Sequence, residues 1–140
     1  MKLRIRANTL RLRLVRAEVD ELLATGQTRE VMPVPGAALA YAFALDEAAA
    51  VGSTPTTTLV TTATGAELRV TWPRAEAEAW ARDPSAVSLR GKVALPAAGA
   101  DAPAELSLLV EKDFPCLVVR EGEDDSDAFA RPEGTEAPAC

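Results

Sequence analysis

"TLRLRLVRAEVDELL", residues 9–23, is the stretch that decides the fold. Leu10, Leu12 and Leu14 alternate with Arg11 and Arg13, the period-two pattern of a half-buried strand. Directly after it, Val19, Leu22 and Leu23 recur at helical spacing, and Gly26 supplies the stop. Fifty-eight positions further on, "ELRVTWPRAEAEAWA" (67–81) has the same order. Leu10, Arg11, Leu12 and Leu14 fall on Leu68, Arg69, Val70 and Trp72; Arg16-Ala17-Glu18 falls on Arg74-Ala75-Glu76, and Leu22 on Trp80. This offset predicts a hairpin–helix–two-strand module present twice, with about eight strands and two short helices. Chance is the competing explanation, since R-A-E is a common way to open a helix.

Working outward, "KLRIRANTLRLRL" (2–14) reads as a hairpin turning near Ala7-Asn8, where Asn tolerates the left-handed conformation. Only an even-length loop keeps Leu3 and Ile5 on the face of Leu10 and Leu12. A two-residue loop sets Arg4 opposite Arg11 and Lys2 opposite Arg13. "TREVMPV" (28–34) reads as a strand that Pro33 places at an edge. In "ALAYAFALD" (38–46) one face carries Leu39, Tyr41, Phe43 and Leu45, and the other carries only Ala. A strand apolar on both faces is central, and its Ala face invites close approach by a helix or second sheet. "TTTLVTTATGAELRVTW" (56–72) predicts a second hairpin turning at Thr64-Gly65, with Pro73 then at the first helical position and the helix stopping before Pro84. "AVSLRGKVAL" (86–95) turns Val87, Leu89, Val93 and Leu95 inward, with Ser88, Arg90 and Lys92 opposite. "ELSLLVEKDF" (105–114) turns Leu106, Leu108 and Val110 inward, with Glu111 and Asp113 opposite.

The expected architecture is α+β: mainly an antiparallel sheet or open barrel of about eight strands, with two short helices packed on one side. Residues 1–120 form a single domain. Residues 121–140 form an acidic extension, in which Phe129 is the only large apolar side chain and the one able to anchor the run to the domain. One domain is what 140 residues support, because Ala supplies 28 of the hydrophobic positions and the larger apolar side chains suffice for one core.

No apolar run approaches the ~18 residues of a membrane span, and Cys116 and Cys140 are too few and too far apart for a disulfide framework. These features point to a soluble protein with reduced thiols in a cytoplasm, with no membrane partner. The chain has no His, which removes His-activated nucleophiles and most zinc or iron sites. It also lacks a CxxC and any Gly-rich loop leading into a helix.

Charge is distributed unevenly. The net charge is −6, yet residues 1–16 carry six cations and no acid, while residues 105–136 carry ten acids. Lys2, Arg4, Arg6, Arg11 and Arg13, extended by Arg69, Arg90 and Lys92, form a candidate anion-binding face. Like charges facing each other across strands cost roughly 0.2–1 kcal/mol a pair. Three explanations compete: long stems with their heads in water, a cover supplied by the acidic C-terminal segment, or an anionic ligand. Glu111 and Asp113 are a candidate Mg²⁺ pair or, the favoured reading, ion-pair partners for nearby Arg. "EDDSD" (123–127) matches a D-x-D metal motif only superficially, and Cys116 reads as a small buried apolar residue.

The basic opening, together with "LLVEKDFPCL" (108–117) and "EDDSDAF" (123–129), resembles a family of small bacterial proteins of uncharacterised function. The resemblance covers about a third of the chain, at its two ends. It departs after Phe129, where Ala130-Arg131-Pro132 replaces the usual Asn-Pro. It implies no catalytic residue and no substrate, only that both charged ends belong to one unit.

Two functional classes follow. The first is a non-enzymatic binding or adaptor module, whose basic face pairs with its own acidic segment or with an acidic protein. The second is a phosphate-ligand protein, in its catalytic form a Mg²⁺-dependent triphosphate hydrolase, with the Arg residues holding the anion and Glu111 and Asp113 the metal. Eight-stranded tunnel enzymes of that kind carry a Glu-x-Glu-x-Lys strand, which this chain lacks. An acidic chain is a poor non-specific ligand for nucleic acid.

Overall fold

In the computed structural model, which describes residues 1–96, 105–115, 126–130 and 132, the first half of the chain runs β1 (Lys2–Arg6), β2 (Thr9–Leu14), α1 (Arg16–Thr25), β3 (Gln27–Val34) and β4 (Ala37–Asp46). The second half repeats the order as β5 (Thr56–Thr62), β6 (Gly65–Pro73), α2 (Arg74–Arg82), β7 (Ser88–Ala94) and β8 (Glu105–Lys112). The helices begin 58 positions apart, at Arg16 and Arg74, as the internal repeat predicts. Their buried positions correspond as well: Val19 and Leu22 in α1 stand where Ala77 and Trp80 stand in α2.

Among the described residues the strands form two open four-stranded sheets, ordered β1-β2-β8-β7 (sheet A) and β3-β4-β6-β5 (sheet B), and no closed barrel. Hairpin partners are antiparallel, but the central pairs, β2–β8 and β4–β6, are parallel. Each sheet therefore joins the first hairpin of one half to the second hairpin of the other. Alternation along a strand assigns its faces but says nothing about distant partners, so this exchange between halves is invisible in the local pattern.

The first hairpin has the predicted register, with Arg4 opposite Arg11 and Lys2 opposite Arg13. Its turn is Ala7-Asn8, and Ala7 rather than Asn8 takes the left-handed conformation, at φ 47°. The β5–β6 turn falls at Ala63-Thr64, one residue earlier than predicted, because Gly65 already pairs with Thr62. Gly65 is required for a different reason: a Cβ there would overlap the carbonyl oxygen of Ala38 on the adjoining β4. Pro73 is the last residue of β6 and caps α2 instead of opening it. α1 ends as expected at Gly26, at φ 84°, whose amide donates to Leu22 O at 2.9 Å.

The core unites both sheets and both helices. Leu10, Leu12, Leu14, Leu108 and Val110 of sheet A meet Phe43, Leu45, Val70 and Trp72 of sheet B, and Val19, Leu22, Ala77 and Trp80 pack against them. Phe43 and Trp72 meet edge to face at 6.5 Å. Two further contacts tie the sheets face to face. Tyr41 donates to the Met1 carbonyl at 2.9 Å, and Gly91 lies so close to Trp72 and Pro55 that a Cβ would stand 2.7 and 2.6 Å from them. The Ala face of β4 points the other way. Ala40, Ala42 and Ala44 are buried but lie outside the core cluster, and in register Ala42 lies between Arg29 and Arg69. Small side chains there let long charged ones lie flat across the sheet, where a helix or second sheet was expected.

Candidate anion-binding face

The inward alternation of Leu3, Leu10, Leu12, Leu108 and Val110 turns every second residue of sheet A outward. The pairings arrange these outward residues in three rows: Arg6-Thr9-Ser107-Lys92, Arg4-Arg11-Leu109-Arg90, and Lys2-Arg13-Glu111-Ser88. All five sequence-predicted cations, with Arg90 and Lys92, thus share one face. Arg69 does not, because it projects from β6 in sheet B, where Glu67 and Gln27 bind it.

Carboxylates answer some of these cations. Glu111, beside Arg13 on the parallel neighbour strand, accepts from Arg11 Nε at 2.6 Å and lies 2.5 Å from Arg11 Nη2 and 3.4 Å from Arg13 Nε. One carboxylate so holds the two guanidinium groups of β2 and offsets the repulsion their stacking creates. Lys2 meets Asp113 at 2.8 Å, and Asp113 is buried just beyond β8. Lys92 meets Glu105 at 2.7 Å, and that hydrogen bond raises the Lys92 ammonium above its usual range. Arg4, Arg6 and Arg90 make no ion pair with a described residue. Among the described residues, seven cations against three carboxylates leave a local surplus of about four positive charges on a chain of net charge −6.

The end of this face borders a cleft of about 620 Å³, where Arg90, Lys92 and Ser107 meet Trp72, Glu76 and Leu108. The loop on its far side is pinned by Glu76, which accepts from Gly52 N at 2.9 Å and from Trp72 Nε1 at 3.1 Å. Arg4, Arg6, Arg11, Arg13, Glu111 and Asp113 do not line this cleft. Among the described residues no three His, Cys, Asp or Glu side chains converge as a metal-binding group. No helix among them is long and apolar enough to cross a membrane.

Sheet B has a smaller counterpart. Glu67 accepts from Arg29 at 2.9 Å and from Arg69 at 2.7 Å, and these two bonds hold its carboxyl below the usual range.

The described part of the C-terminal segment docks elsewhere. Val15, the N-cap of α1, has no side-chain oxygen to offer, and Asp127 supplies one. Its Oδ2 accepts from Ala17 N at 2.9 Å and its carbonyl from Arg16 N at 3.0 Å. Phe129 donates its amide to Asp113 O at 2.9 Å and meets Phe114 edge to face at 6.3 Å. Residues 116–125, which hold Cys116, the domain boundary expected at residue 120 and most of the acidic run, lie outside the described residues, as does Cys140.

Lys112 escaped the sequence reading. It shares the inward parity of Leu106, Leu108 and Val110, and that parity was the available signal. It is buried, with Nζ donating to Asp83 O at 2.5 Å and lying over the rings of Phe129 and Trp80 at 5.5 and 5.6 Å. Burial pushes its pKa down, against the smaller opposing pull of Asp83.

The model of a family of unknown function, DUF7009, matches residues 1–133, and the chain belongs to that family. No curated protein and no solved structure matches it.

Proposed function

We propose that the chain is a binding module that holds an acidic protein segment on the outer face of sheet A, with Arg4, Arg6 and Arg90 as the groups available to it. The observation that carries this reading is the surplus of cations gathered on one face of an acidic chain, in rows that a strand-like peptide can follow. Glu111 keeps Arg11 and Arg13 in place, while Arg4, Arg6 and Arg90, which pair with no carboxylate among the described residues, present forked donors suited to carboxylates. The chain carries a candidate occupant of its own in Glu121, Glu123, Asp124 and Asp125. The described residues on either side of that run, Pro115 and Ser126, both lie near the helix end of sheet A, as the bonds of Asp113 to Leu14 and of Asp127 to Arg16 indicate.

A decaglutamate peptide tests this reading by fluorescence anisotropy at low salt. The chain should bind it, lose at least tenfold in affinity when Arg4, Arg6 and Arg90 are all replaced by Ser, and lose most of the remainder in 0.5 M salt, because screening shortens to a few ångströms. Neutralising Glu121, Glu123, Asp124 and Asp125 to their amides should strengthen binding if the run covers the face. Absence of binding in both the parent and the neutralised chain overturns the proposal.

A second reading has one observation behind it: the cleft brings Arg90, Lys92 and four hydroxyl side chains beside the ring of Trp72, a set that suits a small molecule with a phosphate group and an apolar part, with the Glu76 carboxylate in the same lining opposing the anion. Tripolyphosphate, with and without Mg²⁺, is its probe, and a larger rise in melting temperature than decaglutamate produces would favour it. Catalysis through Mg²⁺ at Glu111 and Asp113 requires the ion to displace Arg11, Arg13 and Lys2 from those carboxylates.

A further inference from the structure

Among the described residues, four strands end the two sheets: β1 and β7 in sheet A, β3 and β5 in sheet B. An edge strand offers unpaired N–H and C=O groups to any other chain, and soluble proteins guard such edges with charge, Pro or bulges. Three of these edges are guarded. β1 carries Lys2, Arg4 and Arg6; β7 carries Arg90 and Lys92; β3 carries Arg29, Glu30 and Pro33. β5, "TTTLVTT", has no charge and no Pro, and all but its second residue are exposed. At its centre Leu59 and Val60, on opposite faces, are 64% and 55% exposed.

We propose that β5 pairs antiparallel with β5 of a second copy of this chain, about a twofold axis at Leu59. The register follows from the hairpin. Thr62 and Gly65 close a two-residue turn and exchange hydrogen bonds, so by alternation Thr58 and Val60 face β6, while Thr57, Leu59 and Thr61 turn their backbone groups outward. A twofold at Leu59 sets those three residues opposite one another, Thr57 against Thr61 of the partner and Leu59 against its own copy. Every outward donor then meets an acceptor. Thr58 faces Val60 of the partner, and only neutral side chains meet.

The other edges cannot do this without cost. Self-pairing of β1 about Arg4 sets Arg4 against its own copy and Lys2 against Arg6 of the partner, β7 about Gly91 opposes Arg90 to Lys92, and Pro33 of β3 has no N–H to give. The twofold is consequently a closed dimer and not the start of a fibre. It makes sheet B continuous across two chains and leaves the basic face of sheet A open.

Light scattering coupled to size exclusion, across a wide concentration range, tests the pairing. The chain should reach twice its 14.7 kDa mass. Leu59→Lys, which adds the missing guard, and Thr61→Pro, which removes one outward N–H while sparing those that face β6, should each stay at the single-chain mass with unchanged circular dichroism. A readout free of variants is amide exchange: Thr57, Leu59 and Thr61 should slow together as concentration rises. A single-chain mass at the highest concentration, unchanged exchange at those three amides, or variants that dimerise as the parent does overturns the proposal. A mass that grows past two chains also overturns it.

Discussion

Lys112 stands where the internal symmetry puts Leu45, since β8 lies against β2 as β4 lies against β6. A lysine in such a position loses hydration that two aromatic faces and one carbonyl restore only in part. Because its folded pKa is depressed, the unfolded chain binds the extra proton. Its contribution to stability is thus lost as pH falls through the folded pKa and recovered as pH rises towards the ordinary lysine value of about 10.4. Urea unfolding at a series of alkaline pH values should show the parent gaining stability relative to Lys112→Met as that value is approached, and a constant difference would refute the assignment. Gly91 makes a second residue-scale case. The space a Cβ would need is filled by Pro55 and Trp72, so Gly91→Ala should cost about 1–3 kcal/mol by overpacking, read as a lower denaturation midpoint. In the sequence the contact at Gly91 was not legible, and the burial of Lys112 was legible only as parity. "RGKV" shows a glycine in a strand without its neighbour on the other sheet, and "LLVEKD" shows a lysine among charges, where solvent is the ordinary reading.

At the scale of the element, α1 is a helix whose sequence specifies its end but not its start. Gly26 is legible as a stop because the left-handed conformation there favours glycine. The start has only half of a capping box: Glu18 accepts from Val15 N at 2.9 Å, and Val15 returns nothing. Asp127, 110 residues on, supplies the missing oxygen. Spacing rules look three or four residues ahead, so an N-cap contributed from the other end of the chain could be found only in three dimensions. Asp127→Ala should lower stability by about 1 kcal/mol, with Asp127→Asn keeping most of it, because an amide oxygen also caps. Equal losses from both variants in thermal melts would show that charge at the helix dipole, not the hydrogen bond, is what Asp127 supplies. The first hairpin is the opposite case. Amphipathy and an even loop fix its register outright, and the rows of the basic face follow from that register. The candidate face was accordingly readable from residues 2–14, whereas its extension by Arg90 and Lys92 and its separation from Arg69 depend on which hairpins share a sheet.

For the whole molecule, the exchange of hairpins between halves decides how the chain can fold. The repeat at 58 residues suggests two units side by side, yet neither half owns a sheet. Hairpin β1–β2 has its inner edge satisfied only by β8, and β5–β6 only by β4. An isolated two-stranded hairpin is at best marginally stable in water, so each half alone lacks both a sheet and a closed core. Leu14 and Leu22 come from one half and Trp72 and Trp80 from the other, within one cluster. The two halves should therefore behave as a single cooperative unit in spite of their duplication. Cutting the loop between β4 and β5 tests this directly. A fragment of residues 1–50 should show the circular dichroism of an unfolded chain, and so should 51–140. Mixing them should restore sheet signal and one melting transition whose midpoint rises with concentration, because association and folding are then the same event. A folded 1–50 fragment, or two separate transitions in the intact chain, would mean that each module closes on its own and that the parallel β2–β8 and β4–β6 pairs only dock finished units. The basic face gives the same experiment a second readout. Its rows require β7 and β8 beside β1 and β2, so decaglutamate binding should be absent from either fragment and return only with the mixture.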